Sequence, residues 1–227
     1  MKFPETNEAK FWTDRPPTDG GRLRRLAGWA SVGMFLVWIG FSILAFVVNL
    51  DQRSLLRRAQ NDPFSVSFEE ARDSDARAEL LNHTLLVLIA VTAACFITWM
   101  YLEYRRADRA GATTRFGTGW AIGGWFVPFL NWFRPYQVME DVWDATAGRN
   151  RNRVLLGTWW GFYLASLLVA AAAGSGESRT FDDLLRQNGF YIARAALTLV
   201  AAVLAALVVR AVLLHPASVP SGAESEV

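Results

Sequence analysis

Four long apolar runs separated by polar stretches organise the chain, at residues 27–49, 84–102, 154–173 and 190–214. A helix rising ~1.5 Å per residue needs about 20 apolar residues to cross the hydrocarbon of a bilayer, and each run meets that length. The first three carry no charge; the last carries Arg194 and Arg210. Buried helices of soluble domains offer shorter apolar runs, and four runs in 227 residues leave too little polar helix to wrap them. The pattern predicts an all-α integral membrane bundle of four transmembrane helices within a domain spanning 27–214.

A fifth apolar stretch, WAIGGWFVPFLNWF at 120–133, is shorter and is interrupted by Pro128, which removes a backbone donor. It reads as a re-entrant or interfacial segment. Extended to 116–133 it becomes a marginal span, so four-span and five-span topologies both stand. Residues 135–147 follow as a short amphipathic helix, with Pro135 at its first position and Tyr136, Met139, Val142, Trp143 and Thr146 at helical spacing. Gly148 supplies a stop. Such a helix is expected to lie in the interface with Trp143 toward the acyl chains.

Between the first two runs, residues 50–82 form the largest hydrophilic stretch. Asp62–Pro63 marks a break, and Ser67 with Glu70 resembles a capping box that starts a helix at Phe68 leading into the second span. Residues 1–26 hold Pro16, Pro17, Gly20 and Gly21 and read as a flexible tail; residues 215–227 read as a disordered one. Residues 174–189 read as a short outer loop or one short polar helix.

Charge orients this arrangement. If 120–133 does not cross, six basic residues of the tail and eight of 103–153 share one side, against five and two on the other. That distribution places both termini in the cytoplasm of a multi-pass cell-membrane protein. Arg53, Arg57 and Arg58, beside the outer end of the first run, oppose it.

The candidate chemistry is sparse. One cysteine, Cys95, and two histidines, His83 and His215, exclude intramolecular disulfides and cysteine metal clusters. Asp73, Asp75 and Glu79 lack calcium-loop spacing and suit a solvated face. No catalytic triad, zinc motif, phosphate loop or dinucleotide fingerprint occurs, so neither an enzyme nor a cofactor is expected. A net charge of +2 with no soluble basic face argues against nucleic acid. Arg194 and Arg210 lie near the ends of their span, where arginines snorkel. Gly119 with Gly123, and Gly157 with Gly161, have the spacing of close helix contacts within the bundle. Trp29, Trp99, Tyr101, Tyr104, Trp159, Trp160 and Tyr163, near run ends, suit the interface. Around Pro128, Asn131 is placed to satisfy a freed carbonyl, while Arg134 and Gln137 could bind headgroups or complete a polar cluster.

The block YRRADRAG…RFGTGWAIGGWFVPFLNWFRPYQVMEDVW, residues 104–143, resembles the signature of the DUF4328 family, multi-helix membrane proteins of unknown function. The resemblance rests on Trp120, the Trp-Phe-Val-Pro of 125–128, Asn131, the Arg-Pro-Tyr-Gln of 134–137, Met139 and Trp143. Glu140, Asp141 and Asp144 depart from the more basic helix face that it implies. It implies an architecture and no activity.

Two classes of function follow. One is a membrane scaffold or accessory subunit whose cytoplasmic surface, 103–153, meets a membrane protein partner. The other is a lipid, small-molecule or ion binding or transport protein acting through 120–137. Trp120, Trp125, Pro128, Asn131, Arg134, Pro135, Tyr136, Gln137 and Trp143 are the candidate structural or ligand-contact residues. The bilayer is the expected partner in both, with a second copy of the chain as a further one. A cysteine introduced by Asn150→Cys in a Cys95→Ala background should resist an impermeant thiol reagent applied outside intact cells. Labelling from outside would mean that 120–133 crosses.

Overall fold

A computed structural model describes residues 20–147, 152–173 and 180–214. The tails 1–19 and 215–227, Gly148 with its predicted stop, Arg149, Asn150, Arg151 and residues 174–179 of the predicted outer loop lie outside the described residues, whereas 181–189 of that stretch are helical and begin the last span's helix. Among the described residues six helices follow in order: α1 (Gly20–Asn61), α2 (Phe68–Arg109), α3 (Trp120–Gly123), α4 (Arg134–Ala147), α5 (Val154–Ala173) and α6 (Phe181–Leu214). Short 3-10 turns occupy Pro63–Ser65 and Leu130–Trp132, and no strand occurs among the described residues.

Helices α1, α2, α5 and α6 are long and apolar enough to cross a membrane. The protein itself buries only 11% of the most apolar window of α1 and 33% of that of α6. Apolar surface on that scale is not left to water by soluble monomers. The chain is therefore a membrane-embedded bundle of four spanning helices. The five-span topology is set aside, because 110–133 holds only the four residues of α3 and one 3-10 turn.

The helices outrun their apolar segments. At 42 residues each, α1 and α2 are about 63 Å long, twice the ~30 Å hydrocarbon thickness. Hydropathy marks where the bilayer stops, not where helical hydrogen bonding stops. Helix α1 ends where Pro63 disfavours helix in the residue before it. Asp62 Oδ1 accepts from Phe64 N at 3.0 Å, and Ser67 Oγ accepts from Glu70 N at 3.1 Å to start α2. The Ser67 half of the predicted capping box is thus present, whereas the Glu70 carboxylate pairs with Arg58 instead of returning to Ser67 N. Arg77 with Asp51 (3.4 Å) and Gln60 with Asp182 (2.9 Å) tie the helix extensions together.

The predicted flexible tail needs correction over 20–26, which belong to α1. Arg24 reaches α2, where its Nη1 lies 2.8 Å from Glu103 Oε1. Glu103 is fully buried and also accepts from Arg106 Nε at 3.0 Å. This clasp places the start of α1 and the end of α2 at the same end of the bundle.

Helix α6 lies between α1 and α5, and α1 also packs on α2. A face of Ala195, Ala201, Ala202 and Ala205 lets backbones approach without branched side chains between them. At the other end of the bundle from the clasp, Asn188 Nδ2 donates to Asn49 O at 3.0 Å and Arg53 Nη1 to Leu185 O at 2.9 Å. The glycine pairs singled out by their spacing do not serve close helix contact. A Cβ on Gly119 or Gly161 would meet nothing within 4 Å, and one on Gly157 would reach only Tyr136 Oη at 3.8 Å. Close approach occurs instead at Gly28, where a Cβ would sit 2.6 Å from Leu213 Cδ2.

Glu103→Gln leaves Arg24 without its counter-charge in a buried position and should destabilise the fold by about 3 kcal/mol. Arg106→Gln, at the more solvated partner, should cost less than about 1 kcal/mol. Thermal unfolding in one detergent compares the two, and equal losses would refute the clasp.

Candidate functional site

The connection from α2 to α5 is built on charge pairing at the end of the bundle. Asp141, on α4, accepts from Arg115 N at 3.0 Å and from Arg115 Nε at 2.7 Å. The Tyr104 hydroxyl lies 3.2 Å from Asp141 Oδ2 and accepts from Phe116 N at 3.0 Å. Arg115 Nη2 also reaches Gln137 O at 2.6 Å and Glu140 Oε2 at 2.9 Å. Burial lowers the affinity of Arg115 for its proton, but Glu140 and Asp141 outweigh it and raise its pKa. Arg153, just before α5, bridges Glu140 (3.2 Å) and Asp144. The three acids that depart from a basic helix face therefore hold a loop and the next span in place.

Next to this cap sits an aromatic bracket. The Arg134 guanidinium lies 4.0 Å from the centre of the Phe116 ring and 5.1 Å from that of Trp120, a cation–π arrangement. Its Nη1 donates to Gln137 Oε1 at 3.3 Å. Arg134 and Gln137 are thus engaged with the protein's own groups. Gly124 makes room for Arg134, since a Cβ there would lie 2.6 Å from Arg134 Cγ and 2.9 Å from Trp120 O. Pro135 is buried at the start of α4, and burial followed by the charge of Glu140 pushes the Tyr136 phenol above its ordinary pKa.

Helix α4 does not turn Trp143 toward acyl chains as its amphipathic pattern suggested. Trp143 is 1% exposed and sits with Val138, Met139 and Val142 in the core, where α4 packs on α2. The apolar stripe of a helix buries equally well against protein, and the aromatic end of α2 is its partner here. The same correction applies to the aromatics expected at the interface. Trp99, Tyr104, Trp159 and Trp160 are core residues, whereas Trp29 is exposed.

The loop 124–133 carries an exposed apolar edge. Pro128 O accepts from Leu130 N at 2.8 Å around Phe129, whose φ of 62° marks a γ-turn, a strained conformation for a side-chain-bearing residue. Phe126 and Phe129 stand out at 73% and 83% exposure. Pro128 is exposed at this tip, and the Asn131 side-chain amide donates to no carbonyl among the described residues, while its buried Oδ1 has no hydrogen-bond partner there either. Trp132 O accepts from Trp160 Nε1 at 2.9 Å, fixing the loop to α5.

Trp125 points away from the bracket, into the bundle. Its ring lies 6.0 Å from Phe96, 6.1 Å from Trp160 and 6.3 Å from Tyr163. Tyr163 is about 13 Å along α5 from Val154, so the loop dips well below the ends of the spans. This is a non-crossing insertion whose aromatic plug is Trp125.

Above Trp125 the interior is not filled. A cavity of about 250 Å³ lies among α1, α2, α5 and α6, walled by Phe35, Trp38, Phe96, Trp125 and Trp159. Ile89 and Leu167, 41% and 39% exposed, mark its open side between α2 and α5, which share no extensive backbone contact. Thr92 Oγ1 and Trp125 Nε1, both on lining residues, have no hydrogen-bond partner among the described residues. A smaller cavity of about 130 Å³ continues it toward Asn49 and Gln52. Trp38, Arg194 and Thr198 line both.

Of the candidates read from sequence, Trp120, Arg134 and Gln137 meet in the bracket, Tyr136 stacks 6.3 Å from Trp160, and Trp125 alone reaches the cavity. Sequence reading missed Phe96, Trp38 and Thr198. It treated Arg194 as a snorkelling residue, although Arg194, Thr198, Ala201 and Ala205 already trace one face of α6.

The fold and the cavity define a four-span membrane protein with an aromatic-lined interior. A family model described as a domain of unknown function (DUF4328) matches residues 62–213, and the chain belongs to that family. No curated protein and no solved structure matches it. Gly124→Ala should destabilise the protein by about 1–3 kcal/mol through overpacking against Arg134, while Gly123→Ala, with its nearest neighbour 4.0 Å away, should be tolerated. Thermal midpoints of the two variants check the pair.

Proposed function

We propose that the protein binds or carries an amphipathic small molecule drawn from the bilayer, holding it in the interior cavity closed by Trp125, and that it is not an enzyme. The observation that carries this reading is the unfilled aromatic cavity open between α2 and α5. Ligand sites are concave, mostly apolar and furnished with a few convergent polar groups, which describes these walls. Among the described residues no acid, histidine or cysteine lines either cavity, and such walls suit binding rather than proton transfer. The broken segment takes part through Trp125.

The location we propose is the cell membrane, with the clasp end cytoplasmic. Arg22, Arg24, Arg25, Arg105, Arg106 and Arg109 gather at that end and support this orientation. The second reading, a scaffold or accessory subunit meeting a protein partner through 103–153, draws on the exposed Arg105 and Arg109 on that face.

Extraction of the full chain in native membrane patches, followed by intact-assembly mass spectrometry, tests the first reading against the second. The expected result is one low-mass amphiphile retained per chain and lost in Ala202→Phe, which fills the cavity from α6. A distinct protein in fixed ratio, with no retained amphiphile, would overturn the carrier reading in favour of the scaffold.

A further inference from the structure

We infer that Arg194 is the headgroup anchor of this cavity and that its ligand is a single-chain amphiphile with an anionic head, a carboxylate or a phosphate monoester. The inference rests on the carrier reading and adds the charge, chain number and direction of the ligand.

Arg194 lies about 6 Å along α6 from Phe190, where the apolar run begins. Its side chain is half-buried and makes no ion pair or hydrogen bond among the described residues. A cation at this depth is costly unless an anion or water meets it. Arg210 provides the comparison, because it is exposed at the opposite end of the same span and lines neither cavity. Arg210 has the geometry of a snorkelling arginine, whereas Arg194 faces inward onto the wall shared by both cavities. Among the described residues no acidic side chain lines either cavity to compensate this positive charge. A guanidinium with five fixed donors is suited to grip a carboxylate or phosphate with two parallel bonds. Ser42, Gln52 and Thr198 supply neighbouring polar groups.

From Arg194 the apolar wall runs along α6 through Ala201 and Ala202 to Ala205, about 16 Å. That is the hydrocarbon depth of one leaflet, half of ~30 Å. A cavity of about 250 Å³, walled by Phe35, Phe96 and Trp159, has room for no more than one chain. The ligand lies head toward Arg194 and tail toward Trp125, aligned with the lipids of that leaflet and entering sideways past Ile89 and Leu167.

Purified full-length protein in nanodiscs can be titrated with a brominated fatty acid, a brominated alkyl phosphate and the methyl ester of the same fatty acid, reading quenching of tryptophan fluorescence. The expected result is at least ~10-fold tighter binding of one of the anions than of the ester, the scale of a charge-assisted hydrogen bond. The tighter anion identifies the head. Arg194→Gln should abolish that preference while leaving ester binding unchanged, Arg194→Lys should keep part of it, and Arg210→Gln should keep all of it. Equal binding of anion and ester by the unaltered protein, or a preference that survives Arg194→Gln, would overturn the anchor and leave the carrier reading intact. Failure of all three probes to bind would overturn both. Helical circular dichroism and elution volume establish that each variant is folded.

Discussion

The ring of Phe96 is the contact on which the bundle converges. Around it stand Phe35 of α1 at 5.7 Å, Trp99 of α2 at 5.6 Å, Trp125 of the inserted loop at 6.0 Å and Trp159 of α5 at 5.8 Å. In a bilayer, apolar side chains gain little by leaving lipid for protein, since both surroundings are hydrocarbon. Shape, dispersion and the edge-to-face preference of aromatic quadrupoles must do what water does for a soluble core. Three of these four contacts are edge-on, and together they fix where the loop can sit. The cavity follows from the same arrangement: Trp125 fills the space between α2 and α5 at one level and leaves it open above.

Polar groups do the complementary work at the two ends. At one end Glu103 draws Arg24 and Arg106 together, and Asp141 draws the loop after α2 onto α4. At the other, Asn188 and Arg53 bind backbone carbonyls across α1 and α6. These bonds lie where the spans emerge from hydrocarbon, so polar groups bracket a middle held mainly by packing. Arg194 is outside that pattern. It is a charge on the inner wall with no ion pair or side-chain hydrogen bond among the described residues, and in the proposed function a ligand takes that place.

The aromatic and charged residues of 104–143 divide into two unlike roles that share one short stretch of chain. Arg115, Arg134, Glu140 and Asp141 are consumed in holding the insertion to the bundle. Trp125, a few residues from Arg134, forms the cavity wall instead. A family signature can therefore be dense in residues that build a site without lining it.

Hydropathy by itself determined the four spans, because crossing hydrocarbon demands about 20 apolar residues whatever the neighbours are. The break at Asp62–Pro63, the Ser67 cap and the start of α4 were equally legible, since each is a local backbone requirement. The sequence could not say which side of an amphipathic helix meets lipid and which meets protein. Trp143 and Trp29 are both tryptophans near an element's end, yet one is 1% and the other 52% exposed. Only the tertiary structure decided this, because in a membrane both surroundings are apolar and the choice lies with neighbours distant in the chain. For the same reason it alone turned Arg194 inward, beside Trp38 and Thr198, and made a cavity out of residues from four helices.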